Sequence, residues 1–434
     1  MQNKSTTRSF QYIFLVYVST IFCFAFLYIM PFSHTGHLSY IDSLFISTSG
    51  LSVTGLSTID IATELTRAGQ GLLMLEMQLG GMGILVIMSY LFLLMGKRIT
   101  VSSMLLLSRD QNQSNLKTIK SLSFSVLIIA LVIEAICFFL IYSDIDKVSS
   151  NSLEAIFVSA FHSVASFTNA GFTLMEINSF ETNKLFLLAT VFAVFFGSIG
   201  FPTIMECLFN FKRKKSLFTK INLRMHVALL IIGTSLYLLL EHDKAFSHLG
   251  FLDKLINSIF LSASTRSGGL AALEVSSLTV TTLLIIMCLM FIGGASSSTG
   301  GGIRLTTFRV IIAKLVSVVR THEQVVIGNR AITQEAVNKS YLIFISFVTL
   351  TVGSTIILTL FQSQDVIHLA FEVLSALTNT GLSLGVTDEL TNIPKLVLML
   401  LMIIGRIGIF TLIYLVYRVE GSKLKYLEED LAVG

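Results

Sequence analysis

TSGLSVTGL (Thr48–Leu56) returns three more times along the chain in altered spelling: ASFTNAGF (Ala165–Phe172), ASTRSGGL (Ala263–Leu270) and SALTNTGL (Ser375–Leu382). Each stretch is a run of small and Ser/Thr residues closed by a glycine and then Leu or Phe. The closing glycines are Gly55, Gly171, Gly269 and Gly381, and each loop lies between two long apolar segments. A single Ser/Thr-Gly loop reads as an ordinary turn. Four at matched places imply a repeated unit, and four loops about one axis can line a cation path with backbone carbonyls.

Outward from these loops the chain is apolar. It is 53% hydrophobic and 13% charged, with three prolines and no tryptophan, and runs of about 20 apolar residues, enough to cross a bilayer, recur throughout. The composition predicts an all-α integral membrane protein and argues against a water-soluble one. The first apolar run, 12–31, follows Lys4 and Arg8 and lacks a small-residue cleavage site, so it reads as a retained helix. Cys23, Cys137, Cys207 and Cys288 fall inside apolar segments and read as small core residues, not as a disulfide or metal framework.

Four modules follow, each a membrane helix, a short helix with its pore loop, and a second membrane helix. Module one is 1–110, with helices at 12–31 and 68–95 and its loop at 40–57. Module two is 111–215, with helices at 121–142 and 184–208 and its loop at 151–173. Module three is 216–335, with helices at 223–241 and 277–312 and its loop at 253–271. Module four is 336–434, with helices at 340–361 and 393–418 and its loop at 367–383. The short helices cannot span, and irregular backbone at membrane depth is tolerated only where protein or a water-filled path surrounds it. The layout predicts a pseudo-fourfold arrangement about a central pore.

Basic residues cluster in the loops that a both-termini-inside topology assigns to the cytoplasm, including Lys97, Arg98 and Lys212–Lys215. Acids such as Asp42, Asp60, Asp144 and Asp388 gather on the opposite side, where an anionic vestibule raises the local cation concentration. That topology also leaves Arg266 on the outer side as a loop residue.

The candidate filter comprises Ser52, Val53, Thr54 and Gly55; Thr168, Asn169, Ala170 and Gly171; Arg266, Ser267, Gly268 and Gly269, preceded by Thr265; and Thr378, Asn379, Thr380 and Gly381. A dehydrating cation needs replacement oxygens, and carbonyls and hydroxyls supply them without a fixed charge that would trap it. Glycine permits the backbone bends that aim carbonyls inward. The C-terminus of each short helix adds about half a negative charge there.

A second constellation, GGASSSTGGG (Gly293–Gly302), interrupts the apolar segment that begins at Leu278. Five glycines in ten residues cannot hold a straight helix, since each costs about 1 kcal/mol relative to alanine. Next to a pore loop such a break reads as a gate, with Gly293, Gly294, Ser298, Thr299, Gly300, Gly301 and Gly302 as its body. Arg406, in IIGRIGIF (Ile403–Phe410), lies inside the last helix, where a cation generally faces an interior path or partner. It is expected to face the pore and donate to the carbonyls of the glycine run, with Arg304 as the alternative donor. Glu76 and Glu134 read as helix-bundle hydrogen bonds. His34, His37 and His162 lack a companion ligand set.

These motifs resemble the Trk/Ktr/HKT superfamily of potassium transporters, and most closely the Ktr-type membrane subunit. The resemblance runs through the four loops, QLGGMGI (Gln78–Ile84), GSIGFP (Gly197–Pro202), FIGGASSSTGGGIRLTTF (Phe291–Phe308), FEVLSALTNTGLSLGVT (Phe371–Thr387), IIGRIGIF and the tail YLEEDLAVG (Tyr426–Gly434). It implies potassium uptake in a bacterial plasma membrane, sodium as activator, a homodimer with one pore per protomer, and control by a cytosolic ring of RCK-type subunits that bind ATP/ADP or another nucleotide. It implies a bilayer partner and no nucleic acid. No cytosolic nucleotide-binding fold is legible in the chain, so control is expected from a separate polypeptide. The family's glycine run commonly carries Pro-Gly and Lys where this chain has Ser296, Ser297 and Arg304. Its third loop usually reads Thr-Ala-Gly where this chain has Ser267, Gly268 and Gly269, so Gly268 is expected to loosen that quarter. All four filter glycines resemble those of potassium-selective members.

The rival reading is a symporter with obligatory sodium–potassium coupling, since transporters also use broken helices. A membrane enzyme needs a reactive cluster of carboxylates or His/Cys, and none is legible.

Overall fold

The computed structural model describes residues 2–83, 119–145, 152–175, 180–209 and 214–409. The sequence-predicted helix beyond Gly83, the module boundary at 110, and the last helix and tail after 409 lie outside these residues.

The fold is helical, as the apolar composition requires. The stretch expected as module one holds α1 (Gln2–Ile29), the short α2 (Tyr40–Ser52), one turn of α3 (Ile61–Glu64) and α4 (Arg67–Met82). The second has α5 (Ile119–Ile145), the short α6 (Ser152–Thr168), then α7 (Lys184–Ser198) and α8 (Phe201–Phe209). The third has α9 (Leu217–Glu241), the short α10 (Phe251–Thr265), α11 (Val280–Phe291) and α12 (Leu305–Val319). The fourth has α13 (Gln334–Thr359), the short α14 (Val366–Thr378) and α15 (Asn392–Ile407). A two-residue hairpin, Val326–Ile327 paired antiparallel with Arg330–Ala331, joins α12 to α13. Among the described residues, Phe124–Ile145, Leu217–Glu241 and Gln334–Thr359 are long and apolar enough to cross a membrane.

Polar residues set the helix starts. Ser39 caps α2 through the Asp42 amide, Thr66 caps α4 through Gly69, and Thr279 caps α11 through Thr282, each side chain accepting one of the orphan N–H groups.

The second helices depart from the sequence reading. The segment 184–208 was expected as one helix, but it bends by 98° between α7 and α8. Gly200 takes φ +90 at the bend, and Pro202 follows in the first turn of α8, where its missing N–H costs nothing. The first and fourth second helices also stop at left-handed glycines, Gly83 (φ +85) and Gly408 (φ +87). Arg406 therefore sits in the last turn of α15, not deep within a longer helix.

Lipid tails are as apolar as leucine, so close backbone approach and hydrogen bonding must hold membrane helices together. Three second helices show how. A Cβ on Gly80, Gly197 or Gly405 would overlap the carbonyl oxygen of Leu51, Phe167 or Leu377, each in the last turn of its own module's short helix. The glycines in QLGG, GSIG and IIGR thus seat the short helices. Glu76 is fully buried and accepts from Tyr28 Oη (2.8 Å) and Ser47 Oγ (2.6 Å), while Glu134 accepts from Gln78 at 3.2 Å. Of the cysteines only Cys137 is buried; Cys23 and Cys288 face outward, which corrects the core reading for those two.

Modules one and four are joined by an ion pair. Asp42 Oδ1 accepts from Lys395 Nζ at 2.7 Å and from Thr58 Oγ1 at 2.8 Å, and Oδ2 from Ser39 Oγ at 2.5 Å. Both side chains are mostly buried, at 11% and 19% exposure, so the pair is shielded from the screening that weakens surface bridges. Lys395→Met is expected to lower the unfolding free energy in detergent by about 1.5–3 kcal/mol, the usual worth of a hydrogen bond to a charged group. An unchanged denaturation midpoint would remove the pair from the account.

Candidate functional site

The four short helices end in tight reverse turns. The amides of Thr54, Ala170 and Thr380 fold back to the carbonyls of Ser49, Ala165 and Ser375 at 2.8–2.9 Å. In modules one and four the next amide, of Gly55 or Gly381, donates to the hydroxyl of that same serine at 3.0 Å. These turns need a left-handed residue at the helix end, and Val53 (φ +58), Asn169 (φ +59) and Asn379 (φ +50) take that conformation. Asparagine tolerates it; a β-branched valine does so only when its surroundings enforce it.

Module three closes by a different turn. Arg266 stays right-handed at φ −82, and the amides of Ser267, Gly268 and Gly269 all point at the Ser264 carbonyl (3.1, 2.7 and 3.3 Å). The Leu270 amide donates to Ser264 Oγ at 2.7 Å. At Gly268, the position expected to loosen this quarter, a Cβ would stand 2.9 Å from Ser264 Cα and 3.1 Å from Val194 Cγ1, so a side chain there would push on both neighbours.

The closing glycines meet. A Cβ at Gly55 would lie 2.8 Å from Gly171 Cα; at Gly171, 3.1 Å from Gly269 Cα; at Gly269, 3.3 Å from Gly381 Cα; and at Gly381, 3.1 Å from Gly55 Cα. The contacts run through the modules in order and close on the first. All four glycines have positive φ, at +99, +69, +66 and +91. The carbonyl oxygens of Thr54, Ala170 and Thr380 occupy the space that a Cβ on Gly381, Gly55 and Gly269 would need. Main-chain oxygens therefore fill the ring. The Thr54 and Thr380 hydroxyls bond within their own loops, to Ser52 Oγ (2.6 Å) and Thr378 Oγ1 (2.8 Å). Asn379 Nδ2 ties the fourth loop to the first through Thr54 Oγ1 at 2.9 Å and also donates to the Met402 carbonyl.

Arg266 is not where the charge pattern put it. It is 2% exposed, and it turns into the protein to donate to the His226 carbonyl (3.1 Å), to reach His226 Nδ1 (2.9 Å) and to donate to the Gly293 carbonyl (3.3 Å). Its side chain is thus a brace between α9 and the start of the glycine run, and not an outward-facing loop group or a side-chain ligand for a cation.

The Gly293–Gly302 run is an ordered, hairpin-shaped loop whose ends meet in a parallel bridge between Ile292 and Ile303. Its arms pair through Gly293 N to Ile303 O (3.1 Å), Gly294 N to Gly301 O (3.1 Å) and Leu305 N to Gly294 O (3.2 Å). A Cβ on Gly293 would overlap the Gly301 carbonyl, which accounts for glycine there. The tip is fastened to the α7–α8 bend: Ala295 N donates to Ser198 O (2.9 Å), Thr299 N to Gly197 O (3.1 Å), and Phe201 N to Ser297 O (3.1 Å). Ser298 Oγ closes the tip on the Ala295 carbonyl at 2.7 Å. Arg304 donates to the Ala295 and Gly300 carbonyls. Arg406 donates to the Thr299 carbonyl from one nitrogen and to the Gly80 carbonyl from another.

The hairpin also rests on the candidate filter loops. The Asn169 carboxamide lies 2.6 Å from Thr299 Oγ1. A Cβ on Gly300 would overlap Ser267 Oγ, and one on Gly301 would overlap the Thr378 carbonyl and come within 2.7 Å of Asn379 Oδ1. Sequence reasoning missed Gly197, Ser198, Gly200 and Gly80 as members of this site. Their signal was the recurrence of paired glycines in each second helix.

The profile of the TrkH cation transport proteins matches residues 2–423. Ktr system potassium uptake protein D of Bacillus subtilis is 36% identical over 410 residues, covering 91% of this chain and 90% of that protein. Ktr system potassium uptake protein B of Vibrio alginolyticus is 33% identical, covering 97% and 94%. The potassium/sodium uptake protein NtpJ of Enterococcus hirae is 31% identical, covering 93% and 92%. The crystal structure of the potassium transporter TrkH from Vibrio parahaemolyticus superposes with a TM-score of 0.76 at 19% identity, over 95% of this chain and 85% of that one, and so shares the fold. The chain belongs to the TrkH cation transport protein family and is a membrane subunit of a Trk/Ktr-type potassium uptake transporter.

Proposed function

We propose that potassium passes through the ring of Gly55, Gly171, Gly269 and Gly381, its hydration replaced by main-chain oxygens of the four loops, and that the Gly293–Gly302 hairpin gates that path. The observation that carries the reading is the closed sequence of glycine contacts, which leaves backbone and no side chain at the meeting point. The four modules, 1–110, 111–215, 216–335 and 336–434, act as quarters of one filter. Thr299 and Arg406 form the latch: a fixed cation beside the path repels a permeant one while its hydrogen bonds hold the hairpin closed.

The assembly we infer is a homodimer in a bacterial plasma membrane, with both termini cytoplasmic, stimulated by sodium and controlled by a cytosolic RCK-type ring that binds ATP/ADP or another nucleotide. The relatives named as Ktr-system proteins support this reading, and the potassium/sodium naming of NtpJ supports a role for sodium. Expression in a bacterium lacking its own potassium uptake tests it. Growth at low potassium, enhanced by sodium, is expected; no rescue by a chain that reaches the membrane contradicts it. Fixed sodium–potassium stoichiometry in flux would favour the symporter.

Arg406→Gln removes the charge and weakens two hydrogen bonds to carbonyls. Such bonds are worth about 1.5–3 kcal/mol each, so the closed state is expected to lose about tenfold or more and potassium uptake to rise correspondingly. An unaltered uptake rate at normal expression takes Arg406 out of the mechanism.

A further inference from the structure

We propose that the Gly293–Gly302 hairpin is also a brace for the filter, and that Thr299, acting on Asn169, is the positioning residue through which the hairpin sets potassium-over-sodium discrimination. The proposal rests on the filter-and-gate reading above and extends it: leaving the path also withdraws support from the loops.

Three consecutive hairpin residues each meet a different filter loop. Thr299 meets the second loop at Asn169, Gly300 the third at Ser267, and Gly301 the fourth at Thr378 and Asn379. Arg266 of the third loop adds a bond to the Gly293 carbonyl at the root of the hairpin. A segment that only obstructed a path would need steric bulk there, not glycines that make room for the Ser267 side chain and the Thr378 carbonyl. Ser267 Oγ and Asn379 Oδ1 are buried with no hydrogen-bond partner among the described residues. Each lies against a hairpin glycine, so these two contacts are packing alone. The hydroxyl of Thr299 makes the directional contact.

The three left-handed residues at the short-helix ends are held differently. Val53 is apolar and packs toward Gly80. Asn379 is bonded to Thr54 of the neighbouring loop and to Met402 of α15, independently of the hairpin. The Asn169 side chain finds its shortest partner on the hairpin. With both ends of its carboxamide satisfied, Oδ1 accepts from Thr299 Oγ1 (2.6 Å) and from the Ser198 amide (3.3 Å), and Nδ2 donates to the Ser166 carbonyl (3.2 Å). Ser198 itself accepts the hairpin amide of Ala295. Two of the three Asn169 contacts thus depend on the hairpin directly or through one residue. Asn169 is followed by Ala170, whose carbonyl sits against Gly55 in the ring. Withdrawing Thr299 frees the residue that orients that carbonyl, and selectivity depends on where such dipoles stand. The filter is accordingly more discriminating with the hairpin in place than with it displaced.

Thr299→Val keeps the shape and removes the hydroxyl; Thr299→Ser keeps the hydroxyl. The purified full chain in proteoliposomes, assayed for rubidium and sodium uptake, reads both flux and ratio. The expected result for Thr299→Val is a fall in the rubidium-to-sodium ratio of roughly threefold or more, the low end of couplings carried between sites by one residue. Thr299→Ser should hold the ratio. If the valine protein does not reach the membrane, Thr299→Ala makes the same deletion without added bulk. An unchanged ratio in the valine or alanine protein overturns the brace, even if flux rises and the gate survives. An equal loss in the serine protein also overturns it, because the hydroxyl would not be the agent. Gly55→Ser in parallel separates the two failures: if it too leaves the ratio intact, the filter reading has failed, not the coupling.

Discussion

Gly55→Ser is expected to lower discrimination between potassium and sodium by roughly tenfold or more, equivalent to at least 1.4 kcal/mol of differential binding. Two physical costs act together. At φ +99 a residue with a Cβ is strained, by roughly 1–2 kcal/mol in left-handed backbone. The larger cost is steric. The new Cβ would overlap the Ala170 carbonyl and stand 2.8 Å from Gly171 Cα. Both neighbours are backbone, so neither can swing aside as a long side chain would. The second loop must retreat, carrying a proposed ligand with it. Sodium, smaller and more tightly hydrated, gains relative to potassium when a serine hydroxyl replaces a spaced carbonyl. Competitive rubidium and sodium uptake measures this; an unaltered ratio in a well-expressed protein contradicts the ring as the seat of selectivity.

Removing Gly294–Gly301 is expected to raise potassium flux by about tenfold or more, the consequence of abolishing a closed state held by hydrogen bonds of about 1 kcal/mol each. The deletion is geometrically mild. Gly293 and Gly302 already face each other, with a Cβ on Gly302 2.9 Å from Gly293 Cα, and Gly293 N bonds Ile303 O. The chain can be rejoined across the neck of the hairpin without pulling α11 from α12. What leaves is the tip, with its bonds to Gly197, Ser198, Asn169, Arg304 and Arg406. Equal or lower flux at normal expression rejects the gate. If the brace operates as well, the faster protein also discriminates less.

Much of this was legible in the sequence because glycine leaves a mark wherever backbones crowd. The four loops, their closing glycines and the interrupted helix of module three were visible as spelling. The short helices lie close to where the loops placed them, such as 40–52 within the expected 40–57. Other features depended on neighbours that a linear reading does not bring together. Arg266 was read as an outer-side loop residue within the candidate filter, since a basic residue beside a Ser/Gly loop carries no local sign of burial. Its burial depends on His226, one helix earlier, and on Gly293, one helix later. The third turn departs from the others because Ser264 gathers three amides on one carbonyl, and the letters Ser-Gly-Gly do not announce that. The bend at Gly200 had a signal in GSIGFP, but an unbroken apolar run on both sides favoured one helix. The Thr299–Asn169 contact joins residues of two modules and has no counterpart in local pattern.

Rubidium anomalous scattering from crystals of the intact protein is the most direct measurement of the central claim. The account predicts anomalous density at the centre of the Gly55, Gly171, Gly269 and Gly381 ring, flanked by carbonyl oxygens of all four loops. Ions found elsewhere in the molecule, with that centre empty and closed by packed backbone, would contradict it.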